Sequence, residues 1–166
     1  MKHLYLFLCL FAMALSAHSQ NDLKLMSYNI RNAKGMDNVR NVQRIVNVIN
    51  NEAPDVVAVQ ELDSMTTRSN QTFVLAEVAE RTQMHASYAP AIDFQGGKYG
   101  IGILSKDKPL DIQTYPLPGR EEKRMLMVAE FKDYFLACTH LSLTEEDRLT
   151  SLEIIKNSVK SNQKPF

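Results

Sequence analysis

Asp55-Val-Val-Ala-Val-Gln-Glu-Leu62 is the stretch on which the fold turns. Val56 to Val59 form a short apolar run that a sheet interior can bury on both faces. Gln60 and Glu61 follow where that run stops. Just upstream, Pro54 closes a helical pattern that opens at Asp37 and puts Val39, Val42, Ile45, Val46 and Ile49 on one face. Before it, LKLMSYNI (23–30) alternates Leu23, Leu25 and Ser27 against Lys24, Met26 and Tyr28, the period of a strand. Strand, helix and strand in this order make a βαβ unit, whose two strands are expected to be parallel.

Downstream, a second helical stretch runs over 71–83, and HASYAP (85–90) reads as a short strand. The loop glycines of FQGG precede an extended segment from Tyr99 to Leu104. Past Pro109, Pro116 and Pro118 comes the strand RMLMVAEF (124–131), and Lys132-Asp133 turns it into YFLACTHL (134–141) as an antiparallel hairpin. A last helix is expected from Thr144, with Asp147 completing a variant capping box and Leu149, Leu152, Ile155 and Val159 as its buried stripe. Glu145 and Glu146 suit its positive end. A βαβ unit, a helix, antiparallel strands and a helix predict a layered α/β (α+β) fold.

The chain has 166 residues, 45% of them hydrophobic, enough for one domain with a core. Lys plus Arg equals Asp plus Glu at 19 each, which argues against a strongly basic, nonspecific nucleic-acid binder. Residues 1–19 read as a signal peptide: Lys2 and His3, an apolar run from Leu4 to Leu15, then Ala17-His18-Ser19 before Gln20. The run is short for a bilayer span, so no transmembrane segment is expected after cleavage, and an uncleaved anchor is the alternative. Cys9 lies inside the run, away from the cleavage point, which argues against a lipoprotein. The expected product is exported, periplasmic or extracellular, with residues 20–166 as its domain and Cys138 as its one cysteine. No intrachain disulfide is then possible, and Cys138 reads as a buried apolar residue.

Polar residues at the ends of apolar strands are where a rigid scaffold presents reactive groups. Four stand there: Asn29 in SYNIR, Glu61 in VQEL, Arg124 in EKRMLMV and His140 in CTHL. Each alone has a plainer use, as a turn cap, a solvated charge, a surface residue or a core hydrogen-bonder. Together they suit one chemistry. A hard cation such as Mg²⁺ or Mn²⁺ takes a carboxylate from Glu61, with Asn29 giving an amide oxygen or a hydrogen bond to the ligand. Arg124 and His140 supply donors for a phosphate, the set needed for metal-assisted attack of water on a phosphate ester.

LKLMSYNIR, PDVVAVQEL, YGIGILSK, EKRMLMVAEF and FLACTHL, in this order, resemble the endonuclease/exonuclease/phosphatase superfamily, of which deoxyribonuclease I is a member. The resemblance covers essentially the whole chain after the signal. It implies part of a four-layer α/β sandwich of the deoxyribonuclease I-like type, and a Mg²⁺-dependent hydrolase acting on phosphate ester bonds. It makes Asn29 the asparagine near the metal and the attacking water, Glu61 the metal-binding glutamate, and His140 the histidine that contacts the scissile phosphate. Arg124 matches an arginine before the same strand, a phosphate contact. Gln60 accompanies the glutamate and supports its loop. Tyr99 lies in the turn near the cleft, as a substrate contact or as packing.

The superfamily continues with a strand ending in Gly-Asp-x-Asn and a later Ser-Asp-His, and this sequence contains neither. The chain therefore reads as an N-terminal portion with the second half missing, inactive alone, its second sheet largely absent and apolar faces exposed. A non-catalytic binding domain that keeps the fold is the alternative. Near-neutral charge leaves a lipid head group, a sugar phosphate and nucleic acid all open as the substrate, and the oligomeric state undetermined.

Overall fold

The computed structural model describes residues 22–159 and Pro165. The signal segment, residues 1–19, lies outside the described residues. The elements run β1 (Leu25–Asn29), α1 (Val42–Glu52), β2 (Val56–Ser64), α2 (Val74–Thr82), β3 (His85–Phe94), β4 (Gly97–Ser105), β5 (Asp111–Leu117), β6 (Arg124–Glu130), β7 (Phe135–Thr139) and α3 (Glu145–Val159).

Two sheets result. The first has the order β1-β2-β4-β3, with β1 parallel to β2 and the other pairs antiparallel. The second has the order β5-β6-β7, all antiparallel. The side-chain period of two divides β2 between two cores. Val57 and Val59 meet Ile45, Val46 and Ile49 of α1 and Leu75 and Val78 of α2. Val56 and Ala58 point the other way, into an inter-sheet core with Ile101, Ile103, Met127, Phe131 and Cys138. Beyond the second sheet, Ile154 and Ile155 of α3 pack on Leu117, Leu126 and Val128. Helices, sheet, sheet and helix make four layers. Each fully buried Val, Ile or Leu in them contributes about 1.5–3 kcal/mol relative to exposure.

The βαβ unit and the β6–β7 hairpin form as their residues dictate, and several expectations need correction. The second sheet is not largely absent but has three strands. One of them, β5, was not anticipated, because DIQTYPL is polar and holds Pro116, residues that only an edge strand tolerates. α1 begins at Val42, with the Asn41 side chain accepting from the Arg44 amide. Asp37 instead accepts from the Val39 amide and pairs with Arg44, leaving Val39 exposed.

α3 also departs from expectation. Leu149 and Leu152 are 56% and 47% exposed, while Asp147 and Ser151 are buried. The helix rotates this way because Asp147 is already bonded beneath it: its carboxylate accepts from the Arg120 amide at 2.9 Å and from Ser142 Oγ at 3.1 Å. The capping box is therefore not made. The Thr144 amide donates to Ser142 Oγ at 3.0 Å instead.

Candidate active site

β2 does not stop at the polar residues; it carries on through them to Ser64. The register against β4 runs Val59↔Gly102 and then Leu62↔Gly100, so β2 holds one extra residue there, a β-bulge. Glu61 sits in it with φ +60°, the left-handed region that a non-glycine residue enters only under local constraint. The bulge decides where Glu61 faces. Strict alternation would send it to the helix side with Val57 and Val59. The extra residue returns Leu62 to that side and leaves Glu61 toward β1.

There Asn29 meets it. Asn29 ends β1 opposite Gln60, and its Nδ2 donates to Glu61 Oε1 at 2.7 Å. Asn29 Oδ1 accepts from the Arg31 amide at 3.0 Å, which orients the carboxamide. The Asn29 nitrogen, rather than its oxygen, thus faces Glu61. Gln60 is buried and reaches across the sheets, with long contacts of 3.5 Å to Ser27 Oγ and 3.8 Å to Cys138 Sγ. Cys138 is itself buried, and that burial pushes its thiol up to about 12, so it is no nucleophile.

Arg124 and His140 form the second pair, at the start of β6 and just past the end of β7. Arg124 Nη1 lies 3.4 Å from His140 Nδ1. Both line one pocket with Tyr99, Gly100, Ile101, Ala91, Lys123 and Glu122. Arg124 is nearly buried and is not free. Nη2 donates to Glu121 at 2.9 Å, Nη1 to Glu122 at 2.6 Å, and Nε is buried without a partner among the described residues. Two carboxylates therefore already balance the guanidinium.

Tyr99 lines the same pocket as Arg124 and His140. Burial raises its phenol, and the charges of Glu61 and Glu122 push it further the same way. It stays a neutral O–H at any ordinary pH. Gly100, beside it, has no room for a side chain: a Cβ there would lie 2.1 Å from the Ala89 carbonyl oxygen.

Four residues with a part in this site were not singled out from the sequence: Glu121, Glu122, Asp63 and Arg68. Asp63 is fully buried, and Arg68 grips it with Nε at 2.7 Å and Nη2 at 2.9 Å. The same guanidinium lies over the rings of Phe94, at 4.3 Å, and Tyr99, at 5.1 Å. The signal lay in plain view, with two acids just before Arg124 and another two residues past Glu61.

Among the described residues, no group of three or more His, Cys, Asp or Glu converges on one point. One carboxylate oriented by an amide is nevertheless a donor set that suits Mg²⁺ or Mn²⁺, which is held by one or two carboxylates and otherwise by water and substrate oxygens.

Comparison with known proteins agrees with this fold. A similar solved structure is an endonuclease/exonuclease/phosphatase from Beutenbergia cavernae DSM 12333, with 23% identity and a TM-score of 0.70 over 82% of this chain and 44% of that one. Another is D. rerio TDP2 complexed with a single-strand DNA product, with 19% identity and a TM-score of 0.63 over 86% of this chain and 57% of that one. A third is ANGEL2, described as a 2',3'-cyclic phosphatase, with 18% identity and a TM-score of 0.61 over 84% of this chain and 47% of that one. The chain thus spans about half the length of these proteins. No curated protein matches it. The family model of the Endonuclease/Exonuclease/phosphatase family matches residues 26–158, from β1 through α3, and the chain belongs to that family.

Proposed function

We propose that this chain carries the metal-holding and phosphate-binding wall of an exported, metal-dependent phosphoesterase. The observation that carries the reading is the bulge that turns Glu61 onto Asn29. A bulge that points a carboxylate at a fixed amide supports a site over a solvated charge. Glu61 would hold Mg²⁺ or Mn²⁺, with Asn29 keeping the carboxylate in one orientation. Bound there, the cation supplies a Lewis acid for a phosphoryl oxygen.

The chain's own residues do the rest. His140 and Arg124 contact the phosphate and stabilise charge on its oxygens, and the neutral Tyr99 hydroxyl gives a further donor. A lipid head group, a sugar phosphate and nucleic acid all meet this chemistry; the DNA product bound to the TDP2 relative keeps nucleic acid among them. Residues 1–19 are the export signal and 20–166 the family domain in this reading. No described helix is long and apolar enough to cross a membrane.

A second reading, a binding domain without catalysis, is favoured by one observation: Glu121 and Glu122 already neutralise Arg124. One experiment separates them. Mn²⁺ binding is followed by electron paramagnetic resonance for the chain and for Glu61→Gln, and phosphodiester cleavage is assayed in a version extended to the full length of the relatives, with and without the same substitution. Binding and cleavage that both vanish in the variant support the enzyme. Mn²⁺ binding that is indifferent to Glu61→Gln removes the metal assignment.

A further inference from the structure

Glu121 and Glu122 both pair with Arg124, but they are held differently. Glu121 Oε1 accepts from Arg124 Nη2 and from the Leu143 amide at 2.6 Å, and its Oε2 accepts from Ser142 Oγ at 2.8 Å. Three donors tie it into the segment before α3, as the permanent counter-ion of Arg124. Glu122 Oε1 accepts only from Arg124 Nη1 among the described residues, at 2.6 Å, and its side chain is 31% exposed. That same Nη1 faces His140 Nδ1. Among the described residues, Glu122 is the one carboxylate lining the pocket that holds Arg124, His140 and Tyr99.

With Glu121 in place, the charge of Arg124 is already offset, so Glu122 is surplus to it. The pocket has a volume of about 10 Å³, too little for a phosphate while Glu122 stays in place, so an anion that comes to Arg124 and His140 must displace the Glu122 carboxylate. Each added negative charge on that anion meets the same repulsion again. Lys123 also lines the pocket, but its ammonium stands in solvent, where screening blunts it.

We propose that Glu122 is the specificity-determining residue of this pocket: its carboxylate on Arg124 admits the monoanion of a phosphodiester and rejects the dianion of a phosphomonoester. The proposal rests on the reading of Arg124 and His140 as phosphate contacts. A diester brings one charge and exchanges with one carboxylate. A monoester brings two and leaves one unbalanced against Glu122 and Glu121 together.

The test uses the chain with histidine-labelled NMR, the His140 ring assigned through His140→Gln. Dimethyl phosphate and methyl phosphate are titrated separately at about pH 8, where a second phosphate ionisation near 6 is complete. Glu122→Gln keeps the shape and removes the charge, and Glu122→Ala removes it independently. Methyl phosphate is expected to bind about tenfold more tightly to either variant, and dimethyl phosphate less than about threefold, the order for one unit charge in a part-exposed site. An equal gain for both anions, or no gain while both still shift His140, overturns the role of Glu122 and leaves the phosphate pocket standing. If neither anion shifts His140 in any of the proteins, the phosphate reading falls and takes this one with it.

Discussion

Asn29 Nδ2 donates to Glu61 Oε1 at 2.7 Å across the parallel β1–β2 pair, joining residues 32 positions apart. The contact exists because the βαβ crossover brings the ends of two strands together and a bulge in one of them turns its carboxylate toward the other. It binds the fold to the site: a shift of β1 by one residue would put Ile30 opposite Gln60 and remove the amide.

Asn29→Ala should therefore weaken Mn²⁺ binding by about tenfold, the lower end for loss of a group that orients a metal ligand. The fold should be indifferent, because Asn29 is exposed at a strand end. The comparison is Mn²⁺ affinity against the thermal unfolding midpoint for the same variant. An unchanged affinity would mean that Asn29 does not orient Glu61.

Much of this was legible in the residues, for reasons that also mark where legibility ends. Val56 to Val59 read as a buried strand because an apolar run needs a core on both faces, and the change to Gln60 and Glu61 marked a site because a carboxylate at the end of such a run needs a partner of its own. The bulge was not legible: an extra residue in a ladder has no local signature when it is not glycine. β5 hid because an edge strand needs neither alternation nor freedom from proline. The exposed Leu149 and Leu152 depended on Asp147, whose partners Arg120 and Ser142 lie in other segments. The grip of Arg68 on Asp63 closes through a loop that the sequence does not show closing.

Gly100→Ala should cost stability directly. The added Cβ would sit 2.1 Å from the Ala89 carbonyl oxygen and 2.9 Å from Pro90 Cα, both backbone atoms that cannot turn aside. Overpacking of this kind costs about 1–3 kcal/mol or more. Urea denaturation should show a lower midpoint with an unchanged slope. Unchanged stability would mean that β3 and β4 separate there more easily than the Pro90–Ile92 bulge in their register implies.

The Glu121 carboxyl is held down to about 2 by the Arg124 guanidinium first, then by the Leu143 amide. Its folded value lies below that of an unfolded glutamate, about 4.3. The folded state then binds this proton less readily than the unfolded one. The stabilisation is complete above the unfolded value and is lost as pH falls from there through about 2. Asp37 and Asp55 are lowered as well, so the useful quantity is a difference. Between pH 5 and 2, by the same linkage, the urea midpoint of Glu121→Gln should fall less steeply than that of the parent. Parallel curves would show that Glu121 is not tied down.

Arg68→Ala leaves the buried Asp63 carboxylate without its partner. Breaking a buried ion pair from one side costs about 3–5 kcal/mol; Arg68 is one-third exposed, so about 2–4 kcal/mol is expected here. Arg68→Lys should recover only part of this, because an ammonium lacks the planar fork that bonds both oxygens and the flat face that lies over Phe94 and Tyr99. Removing both charges with Asp63→Asn and Arg68→Gln should cost less than the two single losses combined, since no orphan charge remains. Urea unfolding of Arg68→Ala, Arg68→Lys, Asp63→Asn, Arg68→Gln and the double variant measures this directly. Additive losses would mean that water already reaches Asp63. A strongly non-additive cycle would mean that Asp63 and Arg68 act as one unit, tying β2 two residues past Glu61 to the Arg68 turn.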